Sequence, residues 1–145
     1  MTRRWFAAFG GSALFAPMAR AAVKATKKIF AANPNATPKP PYSPAVGYGG
    51  VIYVSGKASY AAPDPKDIKS CVNYAFDQVE AELKNAGSSM EKVLKVQVFL
   101  RDIGDYAAMN AIFAERFAKE PPARTTVAAI IPRESLVEID VVAFV

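Results

Sequence analysis

The chain has 145 residues, 52% of them apolar, a formal charge of +5 at neutral pH, one cysteine and no histidine. That length supports one domain with a real core and is too short for two. Without histidine, imidazole acid–base chemistry is excluded and zinc and copper lose their usual ligands, and one cysteine cannot close an intrachain disulfide.

The first 21 residues differ from the rest. Thr2-Arg3-Arg4-Trp5-Phe6-Ala7 matches the twin-arginine export pattern. A mildly apolar stretch over residues 5–19 follows, shorter than the roughly 20 residues a membrane span needs. Ala19-Arg20-Ala21 then reads as a small-x-small cleavage site. We expect residues 1–21 to be a cleaved signal, residues 22–145 to be one exported domain, and no membrane attachment after cleavage. An uncleaved anchor and a start codon placed too far upstream are the alternatives. Removing Arg3, Arg4 and Arg20 leaves 15 basic against 13 acidic residues, or +2. So small an excess argues against a nucleic-acid partner.

Residues 27–31 read as a short strand, and prolines 34, 38, 40, 41 and 44 stud an arm over residues 33–44. Gly49-Gly50 joins two strand-like runs, residues 45–48 and 51–55, as a hairpin. Asp64 is the expected cap of a first helix, with Pro65 at its first position. Ile68, Val72, Ala75, Phe76, Val79 and Leu83 recur at helical spacing until Gly87 ends the run. Cys71 falls on this stripe as a small core residue. Val96, Val98 and Leu100 alternate with Lys95, Gln97 and Arg101 in a half-buried strand. A second helix starts near Asp105 with Tyr106, Met109, Phe113 and Phe117 as its stripe. Strands over residues 124–131 and 136–145 close the chain, joined by Pro132-Arg133-Glu134-Ser135 as a hairpin loop. The order β-ββ-α-β-α-ββ predicts an α+β fold, two helices against one mixed sheet. Both faces of the last strand are apolar, Val137, Ile139 and Val141 on one and Leu136, Val142 and Phe144 on the other, which points to oligomerisation.

Arg124 follows Pro121-Pro122-Ala123, a stiff extended entry. Its guanidinium fork suits a small carboxylate, the alternative being a solvated surface arginine. Asn110 lies beside the apolar stripe of the second helix and contacts either a loop or a ligand. Tyr42 sits in Pro41-Tyr42-Ser43-Pro44, and Ser55-Gly56 closes a strand where glycine lets a ligand near the backbone. Glu138 and Asp140 share one face of the last strand; burial there raises a carboxyl's pKa toward general acid–base use, unless Arg133 or Lys95 pairs with it. In the hairpin register Arg124 and Glu138 stand roughly 15 Å apart. A pocket shared by the two then needs a neighbouring subunit.

Pro41-Tyr42-Ser43, Val54-Ser55-Gly56, Val98-Phe99-Leu100-Arg101-Asp102, Met109-Asn110, Pro122-Ala123-Arg124 and Val137-Glu138-Ile139 occur in register over residues 27–145. The set resembles the Rid family, the YjgF-type reactive intermediate deaminases. The resemblance implies a chorismate-mutase-like α+β protomer with two helices on one sheet face, and a homotrimer with pockets between subunits. It implies hydrolysis of 2-imino and enamine acids to 2-oxo acids and ammonia, with no metal or cofactor. Arg124 would hold the carboxylate and Glu138 the attacking water, with Tyr42, Ser55, Gly56, Asn110 and Thr126 around the substrate. Lys57 stands where the family often has glutamine, and Thr126 where well-known members have cysteine. Capture of a small carboxylic acid without turnover is the alternative reading. Ribonuclease activity is a third, weighed down by the absent histidine and near-neutral mature charge.

Overall fold

A computed structural model describes residues 25–30, 35, 37–38 and 41–145, so the export reading of residues 1–21 lies outside the described residues. Six strands form one sheet: β1 (Lys28–Phe30), β2 (Ala45–Tyr48), β3 (Val51–Ala58), β4 (Val93–Leu100), β5 (Ala123–Ala128) and β6 (Val137–Phe144). Helices α1 (Ile68–Asn85) and α2 (Tyr106–Arg116) pack on one face. The predicted α+β class and element order hold.

Helix α1 is built as its sequence dictates. Its stripe of Val72, Ala75, Phe76, Val79 and Leu83 is fully buried. Gly87 stops it at φ 80, and Ser88 N–H and Gly87 N–H bond back to the Leu83 and Lys84 carbonyls. These are the two bonds of a Schellman ending, where a left-handed glycine carries no Cβ penalty. The start differs from the expectation. Asp67, not Asp64, is the cap, its carboxylate accepting from Ser70 N–H at 2.8 Å. Asp64 instead closes the preceding turn by accepting from Lys66 N–H. Asp67→Ala should therefore lower stability by about 1 kcal/mol in chemical denaturation. No loss there, with a loss at Asp64→Ala, would return the cap to the earlier aspartate.

Between the helices, Phe76 meets Phe113 and Phe117 edge-on, with centroids 6.1 and 5.7 Å apart. Arg116 reaches from α2 to Asn73 Oδ1 and Asp77, both at 2.8 Å. Cys71 is buried in this layer, and burial pushes its thiol pKa up, away from the reactive thiolate.

The predicted closing hairpin is overturned. The sheet order is β1-β2-β3-β6-β4-β5, with β6 antiparallel to both β3 and β4, while β5 runs parallel to β4 at the edge. Residues 129–136 carry the chain around the end of β4. Ala129 N–H bonds the Leu100 carbonyl, and Arg101 N–H bonds the Leu136 carbonyl. β6 earns the centre because Val137, Ile139, Val141 and Ala143 are all buried under the helices. The β4-α2-β5 passage makes its two strands parallel, as a helical crossover does. On the opposite face Tyr48, Tyr53, Val127 and Phe144 are exposed, and no described element covers them.

Candidate active site

Arg124 stands on β5 opposite Val96, so its side chain lies on the helix face. It is half-buried beneath α2. One terminal nitrogen donates to the Tyr106 hydroxyl at 3.1 Å, the other lies 3.9 Å from Met109 Sδ, and the guanidinium carbon sits 4.4 Å from the Phe113 ring centroid. Rings and a thioether fix the group while leaving its charge unanswered. Among the described residues no carboxylate pairs with it. Two residues along the same strand face, Thr126 has a buried hydroxyl without a hydrogen-bond partner, and Asn110 on α2 has a buried Oδ1 in the same state. Buried polar atoms are costly unless bonded, so both are open to water, a ligand or a second chain.

Glu138 stands on β6 opposite Ala58 and Phe99 and points to the other face. Beyond Val54 the β3 strand loses its β2 neighbour and bulges before resuming register with β6 at Lys57. That bulge opens a cavity of about 550 Å³, lined by Tyr42, Ser55, Gly56, Lys57, Tyr60, Tyr74, Arg133 and Glu138 among others. Tyr42 is 63% exposed, so it faces the cavity and does not pack on the core. Ser55 ties the Tyr42 segment down, its hydroxyl donating to the Ser43 carbonyl at 2.7 Å and its N–H to the Pro44 carbonyl. Gly56 makes room for the carboxylate: a Cβ there would lie 2.8 Å from Glu138 Cδ.

Glu138 has neither of its expected ion-pair partners. Lys95 donates to Thr125 Oγ1 at 2.6 Å, and Arg133 stacks 4.5 Å over the Tyr60 ring. Burial, and secondarily the negative charge of Asp140, holds its pKa above the ordinary 4.5. Asp140 is engaged by Gln97 Nε2 at 3.1 Å.

The structure thus brings Tyr42, Ser55, Gly56 and Glu138 to one cavity and Arg124, Asn110 and Thr126 to another place. Arg124 is level with Val96 and Glu138 with Phe99, so the two Cα atoms are two strands and three residues apart, roughly 14 Å, on opposite faces. The two side chains are too far apart to meet within one chain, though not for the hairpin reason. Tyr60, Tyr74 and the cavity role of Arg133 were missed: no motif marks them, and only the bulge and the loop path bring them in. Among the described residues no cluster of Asp, Glu and Cys is suited to a metal ion.

Residues 32–145 match the family described as Endoribonuclease L-PSP. A RutC family protein of Pyrococcus horikoshii is 36% identical over 126 residues, covering 80% of this chain and 95% of the relative. The 3-aminoacrylate deaminase RutC of Acinetobacter baylyi is 34% identical over 119 residues, 77% of this chain and 94% of that one. Among solved structures, a protein of unknown function of the Rid family from Yersinia pestis superposes with a TM-score of 0.74 at 30% identity, covering 83% of this chain and all of that one. Family, relatives and fold agree, and the chain belongs to the endoribonuclease L-PSP family, also known as the YjgF or Rid family.

Proposed function

We propose that the protein is a hydrolytic deaminase of reactive 2-imino and enamine acids, with sites formed between copies of the chain in a homotrimer. The carrying observation is the division of the site. An unpaired arginine with two orphaned oxygens lies beneath α2 at the β5 edge, and a carboxylate with a raised pKa lines a cavity where β3 runs past β2. A second copy bringing its β5 edge to that cavity would join one half from each. The RutC relative supports the chemistry, since 3-aminoacrylate is an enamine acid whose tautomer is an imine.

In this reading Arg124 of one copy receives the substrate carboxylate through its fork of donors. Glu138 of the next accepts a proton from water as the oxygen adds to the C=N carbon. That proton passes to the imine nitrogen, giving a carbinolamine; the hydroxyl proton then follows through the same carboxylate, the C–N bond breaks, ammonia leaves and the carbon becomes a 2-oxo group. Because the imine is intrinsically reactive, orientation and modest proton transfer suffice. The test is ammonia release from freshly generated 2-iminopropanoate. Acceleration by the protein supports the proposal; tight 2-oxo-acid binding without acceleration would make it a binder.

Gly56→Ala should displace the Glu138 carboxylate and cut turnover by roughly a hundredfold. The clash is with a flexible side-chain end, so thermal unfolding should barely move. Loss of activity matched by loss of folded protein would contradict this role. We also propose export through residues 1–21; a mature N-terminus at Ala22 in the secreted fraction supports it, and an intact Met1 contradicts it.

A further inference from the structure

The loop entering β6 holds an arginine in an unusual state. Arg133 has φ 57 and ψ 30, and Glu134 after it has φ 55, two successive non-glycine residues in the left-handed region. Such backbone persists only where its surroundings over-determine it, and it clusters at ligand sites. Here Arg101 bonds the Glu134 carbonyl at 2.8 Å and Ser135 N–H bonds the Pro132 carbonyl, which pins the loop. The strained turn delivers the Arg133 guanidinium to the cavity wall, stacked 4.5 Å over Tyr60. Stacking leaves the edge of the fork, where its donors lie, free for an anion.

Among the described residues Arg133 makes no ion pair. The other cation of the cavity is committed, since Lys57 Nζ sits 2.8 Å from Glu82 Oε1 on α1. A cavity of about 550 Å³ can hold a molecule with two anchored ends. We infer that Arg133 forms a second anion subsite, selecting imino and enamine acids that carry a second carboxylate. This rests on the deaminase reading for the reaction, with Arg124 of the neighbouring copy holding the first carboxylate, but the subsite itself is a matter of binding.

Calorimetric titration of the full assembly with 2-oxobutanoate and 2-oxoglutarate, one carboxylate against two, tests it without turnover. The wild type should bind 2-oxoglutarate at least about tenfold more tightly. Arg133→Gln should erase that preference while leaving 2-oxobutanoate affinity within about twofold, and Arg133→Glu should reverse it. No preference in the wild type, a preference surviving Arg133→Gln, or equal loss of both acids overturns the subsite. A preference without faster imine hydrolysis would sink only the reaction; imine turnover without a preference would sink only the role of Arg133.

Discussion

Glu138→Gln should reduce turnover by about a hundredfold while leaving 2-oxo-acid binding nearly unchanged. The amide keeps the shape that fits against Gly56 but cannot take a proton from water. Burial and Asp140 raise the Glu138 pKa, and the active form of a general base is the ionised one. Turnover should therefore rise with pH through a limb lying above 4.5, and that limb should vanish in the variant. Stability has the opposite sign. A raised pKa means the folded protein favours the neutral acid, a contribution present at low pH and lost as pH climbs through the folded value. Glu138→Gln should then be at least as stable as the wild type at neutral pH, with the difference fading in acid. Equal losses of turnover and binding, or a pH limb that survives the substitution, would remove Glu138 from proton transfer.

Arg124→Ala should weaken 2-oxobutanoate binding by about 1.5–3 kcal/mol, tenfold to over a hundredfold in affinity. The side chain's own contacts are a tyrosine hydroxyl, a thioether and ring faces, so its removal leaves no buried charge behind. Arg124→Lys keeps the charge but loses the paired donors, and should recover only part of the affinity. Calorimetry on the three proteins reads both effects. Unchanged affinity in Arg124→Ala would make the arginine a structural plug beneath α2.

Helix α1 was legible in its buried stripe and its ending because those signals are local: apolar residues at helical spacing and a glycine beyond the end. The cap moved from Asp64 to Asp67 because two aspartates three residues apart compete for one start, and sequence spacing does not decide between them. The true neighbours of β5 and β6 were not legible. Alternation reveals which side chains of β6 turn inward, yet it is silent on which strand lies beside it. The one available clue was the strand–helix–strand passage from β4 through α2 to β5, which favours a parallel pair.

For the site, the resemblance placed Tyr42, Ser55, Gly56, Asn110, Arg124, Thr126 and Glu138 around one substrate; one chain divides them between two places, and Ser55 and Gly56 have specific tasks, one tethering the tyrosine segment and the other seating the carboxylate. Arg133 was invisible as a site residue because its place on the cavity wall depends on a loop tied at the Glu134 carbonyl by Arg101, far away in sequence.

The central claim is that each site takes its arginine from one copy and its carboxylate from another. Arg124→Ala and Glu138→Gln chains, each strongly impaired as a pure assembly at low substrate concentration, can be unfolded, mixed in equal amounts and refolded together. If sites span two copies, about a quarter of them regain both groups, and activity should return to about that fraction of wild type. A mixture as inactive as its two parents would contradict the shared site.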